Sequence, residues 1–172
     1  QFWLLWVVLC FNVTAGIGGI GVAKTMINEI FGSLVIVTTA FAGTYVLMIS
    51  VFNMVGRFFW ASTSDYIGRK NTYHCFFILG TILYLSIPYF AGEGSMLALA
   101  GFYLATMAIF TMYGGGFATI PAYLADMFGT MHVGGIHGRL LTAWSTAGVL
   151  GPFAITYLRN VSKNNAISDL VA

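Results

Sequence analysis

Apolar residues run along this chain in five long blocks, with no strict alternation and no recurring single face. The blocks extend from about Phe2 to Val22, Leu34 to Phe59, Tyr73 to Phe90, Met96 to Leu124 and Leu140 to Leu158. A helix that crosses a bilayer needs about 20 mostly apolar residues, so each block predicts a spanning helix. Charges fall almost entirely between them: Lys24 and Glu29, then Asp65, Arg69 and Lys70, then Glu93, then Asp126. Backbone groups in hydrocarbon must be satisfied within their own segment, which favours helices over open strands. The aromatics are too irregularly placed for the alternating strands of a membrane barrel. The pattern predicts an all-α membrane protein with five transmembrane helices and no sheet.

The first block has no charged leading region and no small-residue cleavage site, so it reads as a spanning helix and not as a signal peptide. A chain that opens in mid-helix is expected to be a piece of something longer. Five spans place the two ends on opposite sides. Cations near the ends divide as Arg57, Arg69, Lys70 and Arg139 against Lys24, Arg159 and Lys163. The richer side is cytoplasmic by the positive-inside rule, which puts the Asp65–Lys70 connection in the cytoplasm.

Composition sharpens this picture. Hydrophobic residues make up 59% of the 172 and charged residues 7%, against about 25% charged in soluble domains. A net charge of +2 from seven Lys/Arg cannot build the basic face that phosphate contacts require, so a nucleic-acid partner is excluded. Cys10 and Cys75 both lie in apolar blocks, which excludes a disulfide-stapled module. The expected partner is the lipid bilayer, and the expected location a plasma (inner) membrane.

Gly16-Ile17-Gly18-Gly19-Ile20-Gly21 matches the dinucleotide fingerprint letter for letter. That fingerprint requires a preceding strand, a following helix and a distant acid, and here it lies inside an apolar block. Close helix approach and a softened helix end are the better reading, and no cofactor is expected. The histidines His74, His132 and His137 lack a third ligand close in sequence, so no metal site is expected. No nucleophile–base pattern has a shared setting, and nothing supports an enzyme.

The stretch Gly56-Arg57-Phe58-Phe59-Trp60-Ala61-Ser62-Thr63-Ser64-Asp65-Tyr66-Ile67-Gly68-Arg69-Lys70 joins the second block to the third. An acid closing one helix and cations opening the next can form charge-assisted bonds across a short turn, and Gly68 permits that turn. Asp65, Gly68, Arg69 and Lys70, with Arg57 and Arg139 as further cations, form a candidate conformational gate. The plainer reading is a solvated turn whose cations only fix topology.

This stretch resembles the signature of major facilitator superfamily transporters, small-x-x-x-Asp-x-x-Gly-Arg-Lys, through Ala61, Asp65, Gly68, Arg69 and Lys70. It departs at Ala61, where that family favours Gly, and at Tyr66, where a cation is common. Gly56, Arg57, Phe58, Trp60, Ser64 and Asp65 resemble more narrowly the oxalate/formate antiporter-like family. So do the stretch from Ala118 to Gly129, Gly135-Ile136-His137-Gly138-Arg139, Leu141-Thr142-Ala143-Trp144-Ser145 and Gly151-Pro152. The resemblance implies helices seven to eleven of a twelve-helix transporter, an incomplete C-terminal six-helix half. The missing N-terminal half and the last helix would then be partners within the same protein.

The resemblance also implies a small carboxylate held by one Arg on helix eight and one Lys on helix eleven. The sequence departs here: no charge lies between Leu34 and Gly56 or between Leu140 and Leu158, and Trp144 stands near the expected Lys. Arg57 and Arg139 are expected at helix ends, where they can snorkel to the interface, and this argues against oxalate specificity. Candidate cavity-lining residues are Asn12, Thr14, Tyr45, Asn53, Tyr113, Trp144 and Ser145. For each the competing reading is interhelical packing or a bond to neighbouring backbone. Asn160-Val161-Ser162 is a glycosylation sequon on the outer side, and Gly148, Gly151 and Pro152 suggest a close helix contact with a bend. The expected function is secondary transport of a small organic anion, a monocarboxylate or dicarboxylate, by alternating access with exchange or proton coupling. A solute sensor of the same fold and an unrelated polytopic protein are the alternatives.

Overall fold

The computed structural model describes the backbone of residues 1–171 and side chains through residue 162, so Lys163 lies outside the described side chains. Among the described residues five α-helices occur, α1 (Phe2–Phe31), α2 (Thr39–Ile67), α3 (Arg69–Glu93), α4 (Met96–Phe128) and α5 (Val133–Val171), with a 3-10 turn at Thr130–His132. No strand occurs among the described residues. The protein is a multi-pass integral membrane protein. Helices α1 to α4 are each long and apolar enough to cross a membrane. Helix α5 has the length, but Thr142, Trp144, Ser145, Thr146 and Pro152 dilute its apolar stretch.

Several helices overrun the apolar blocks. Lys24 and Glu29 lie within α1 and Asp126 within α4, not in connections. Lys and Glu are good helix formers, so a change of polarity alone does not end a helix. The Gly16–Gly21 repeat likewise stays helical throughout. The breaks come from caps. The Thr38 side chain accepts from the Phe41 amide to start α2, and Ser95 accepts from the Ala98 amide at 3.1 Å to start α4. Gly68, at φ 85°, ends α2 and admits α3 one residue later, a conformation that side chains with a Cβ resist.

The chain divides into two units. The first joins Gln1–Val22 to the segment from Arg139 onward. Leu5, Leu9 and Val13 are buried on α1, and Leu140, Ala143 and Ala147 on α5. A Cβ on Gly151 would stand 2.8 Å from the Thr14 carbonyl oxygen, and one on Gly18 would stand 2.7 Å from Ile155. These two glycines are where α1 and α5 approach each other, as small residues allow in membranes. Gly148 has open space where a Cβ would be, so it takes no part. Trp6 donates from Nε1 to the Thr142 hydroxyl at 2.9 Å.

The second unit, Ala23–Gly138, packs α2, α3 and α4 with the end of α1. Phe31, Ala42, Tyr45, Ile49, Phe102 and Met107 form its buried centre. Trp60 donates to the Thr111 hydroxyl at 3.3 Å and meets Phe76 edge-on at 5.0 Å, tying α2 to both α4 and α3. The Tyr73 hydroxyl on α3 donates to the Gly116 carbonyl on α4 at 2.6 Å. Interhelical hydrogen bonds in membranes are worth about 0.6–1.7 kcal/mol. Tyr73→Phe should therefore lower stability by about 1 kcal/mol in detergent unfolding, and unchanged stability would mean that this bond adds nothing.

Candidate functional site

Two groups of charged side chains lie in the second unit. The first sits at the α2–α3 turn. Asp65 is in the last turn of α2, and Arg69 is the first residue of α3. The Gly68 amide donates to the Ser64 carbonyl at 3.1 Å, closing the turn and holding Arg69 against α2. Arg69 bonds to the Ser64 hydroxyl and pairs with the Asp65 carboxylate. Its Nε also faces the Asp126 carboxylate on α4 at 3.5 Å. One guanidinium thus links α3, which carries it, to α2 and α4. The Arg69 side chain is 18% exposed while the carboxylates are 61% and 60% exposed, so each pair is worth about 0–1 kcal/mol.

Of the gate cations, Arg69 is the one that pairs with Asp65. Lys70 is exposed beside it. Arg57 points its hydrogen bond at Asn53. Asp126 and Ser64 were absent from the sequence-derived gate. The available signal for Asp126 was its place near the end of a helix antiparallel to α3, which returns it to the end where Arg69 begins.

The second group centres on Arg57. Its Nε donates to Asn53 Oδ1 at 3.3 Å, one helical turn back. Its guanidinium carbon lies 5.5 Å from the centre of the Phe117 ring on α4. Because α2 continues to Ile67, Arg57 is ten residues from that end, about 15 Å at 1.5 Å per residue. This corrects the expectation that Arg57 stands at the end of its helix; its side chain is exposed. It is the one charged residue within any of the five apolar blocks.

The candidate lining residues fall in both units. Asn12, Thr14, Trp144 and Ser145 belong to the first unit, and Tyr45, Asn53 and Tyr113 to the second. Asn12 is half-buried and Trp144 is 40% exposed. Thr14 and Ser145 donate to carbonyls of their own helix, at 2.7 Å to Cys10 and 3.4 Å to Leu141, as the competing reading expects. Tyr45 is fully buried, its hydroxyl near Thr106 without a bond of standard geometry. Tyr113 packs edge-on against Phe110 at 6.3 Å.

A cavity of about 420 Å³ opens elsewhere in the same unit, lined by Phe41, Met96, Leu99, Ala100, Tyr103 and Leu104. Its lining offers no charge to an anion. Phe41 is sixteen residues from Arg57 on α2, about 24 Å along the helix, so the cavity and the guanidinium are separate features.

The chain is 30% identical over 151 residues to the oxalate:formate antiporter of Oxalobacter formigenes, a match that covers 88% of this chain and 34% of that protein. It spans about a third of the length of that relative. No family model matches the chain. No solved structure matches it.

Proposed function

We propose that this chain is part of a secondary transporter that moves a small organic anion across the membrane by alternating access, through exchange or proton coupling. In this reading α1 to α5 are helices seven to eleven of a twelve-helix major facilitator fold, whose N-terminal half and last helix complete the solute cavity. The observation that carries the proposal is Arg57, the one charged residue of the five apolar blocks, set against Asn53 and Phe117. Its similarity to an antiporter over 151 residues supports the same reading. A cation in that position serves to neutralise an anion in transit. The test is counterflow of labelled formate, lactate and oxalate in vesicles containing the full-length protein. Saturable counterflow of at least one anion is expected. Binding without counterflow would favour a solute sensor, and neither would end the anion reading.

The Arg69 cluster serves as the conformational gate of this transporter. Asp65 and Asp126 hold Arg69 between α2 and α4 in one facing of the protein, and separation of those helices releases it. Weak pairs suffice, because about 1.4 kcal/mol shifts a population tenfold. Asp65→Asn and Asp126→Asn should each change turnover severalfold and alter labelling of cysteines from the cytoplasmic side. Helix content and expression should hold. Unchanged turnover and labelling in both variants would leave these residues as topology signals only.

A further inference from the structure

We propose that the outward side of α3 binds an anionic phospholipid, its phosphate between Lys70 and His74 and one acyl chain along Phe77, Ile78 and Leu85. Helix α3 packs through one side only. Thr72, Tyr73, Phe76 and Gly80 are its buried residues, and Arg69 reaches Asp65 on α2 and Asp126 on α4. Lys70 is turned about 100° from Arg69 around the helix axis, and His74 follows it one turn on along the same face. Both are exposed. Phe77, Ile78 and Leu85 continue that face as exposed apolar surface.

Length and charge together select the occupant. From Lys70 to the exposed Tyr89, α3 rises about 29 Å, which matches a hydrocarbon core about 30 Å thick. Lys70 and His74 then stand at the level of the lipid phosphates. Tyr66, at the adjoining end of α2 and 91% exposed, suits the same level as an interfacial aromatic. Arg69 takes up both nearby carboxylates, and Lys70 makes no ion pair among the described residues. Its ammonium is left for a lipid phosphate, and an imidazole can donate a second hydrogen bond beside it. A zwitterionic lipid brings its own ammonium to the same place and forfeits much of this attraction. A lipid of net negative charge keeps it. The site requires only that α3 faces the bilayer, and is independent of which solute crosses.

The test uses the full-length protein, delipidated in detergent, with phosphatidylglycerol and phosphatidylcholine of identical acyl chains. Each lipid carries a photoactivatable diazirine in one chain, and labelled residues and binding are both read by mass spectrometry. In the wild type phosphatidylglycerol should bind about fivefold more tightly, the ratio that one cation at a membrane surface supplies. It should also label residues 77–85 severalfold more than phosphatidylcholine does. Lys70→Gln combined with His74→Gln should bring both ratios to parity. Lys70→Arg should keep them, as should Lys24→Gln on α1. Equal labelling of α3 by the two lipids in the wild type would overturn the proposal without recourse to any variant. So would an α3 that neither lipid labels because another helix of the full-length protein covers it. A preference that survives the double variant would remove Lys70 and His74 from the site and overturn it as well. Excess inorganic phosphate should not displace phosphatidylglycerol, and displacement would give the two side chains to a free anion instead of a lipid.

Discussion

Gly114→Leu should prevent α2 and α4 from docking and should cost the protein most of its folded yield. A Cβ at Gly114 would lie 2.9 Å from the Asn53 carbonyl carbon and 3.2 Å from its Cα. Both are backbone atoms, so no rotamer change relieves the contact. The mirror contact lies one turn along, where a Cβ on Gly56 would stand 2.5 Å from the Thr111 Cα. The two helices thus interlock, each lending a glycine to the other's backbone. Overpacking a tight contact costs about 1–3 kcal/mol and occasionally more, and a Leu here must also displace helix backbone. Unfolding in detergent should show loss of stability graded from Ala to Leu. Gly43→Ala on α2, where open space awaits a Cβ, should be neutral or stabilising by up to about 1 kcal/mol. Equal tolerance at Gly114 and Gly43 would contradict the interlock. The site shares in this contact, since Asn53 is the residue lying over Gly114 and also the one that fixes Arg57.

The blocks of apolar residues sufficed to reveal the helices because hydrocarbon leaves the backbone few alternatives. Their ends were less legible. Lys24, Glu29 and Asp126 look like loop residues by polarity, yet each lies within a helix, because a helix stops at a cap and a charge alone does not stop it. Gly68 was readable as a turn because only its conformation, at φ 85°, separates α2 from α3. The same end effect obscured Arg57. Judged from the apolar block, which fades after Phe59, it stands near an edge; judged from the helix, which runs to Ile67, it stands well inside. Asp65 and Arg69 could be paired from sequence because they are four residues apart. Asp126 could not be, because its approach to Arg69 depends on how α4 packs. The interlock of Gly56 with Thr111 and of Gly114 with Asn53 depends likewise on register between helices, which composition does not specify.

Arg57→Gln should lower anion affinity in the full-length protein by about ten- to a hundredfold while leaving it as stable or more so. A hydrogen bond to a charged group is worth about 1.5–3 kcal/mol, and each 1.4 kcal/mol is tenfold in binding. Stability should move the other way. A guanidinium within a spanning helix costs about 2.5–3.5 kcal/mol on insertion scales, and Gln relieves most of that cost. Loss of function with stability intact or gained separates this residue from Gly114, where both should fall together. Arg57→Lys keeps the charge and loses the planar edge that faces the Phe117 ring, so it should retain binding at an intermediate level. Asn53→Leu should also be intermediate, since it frees Nε and lets the guanidinium rotate while its charge remains. If Arg57 only anchors α2, Arg57→Gln should leave affinity unchanged in competition binding, and Arg57→Lys should match the wild type. The order wild type, then Lys, then Gln in affinity, against flat or rising stability, is what an anion-binding guanidinium requires.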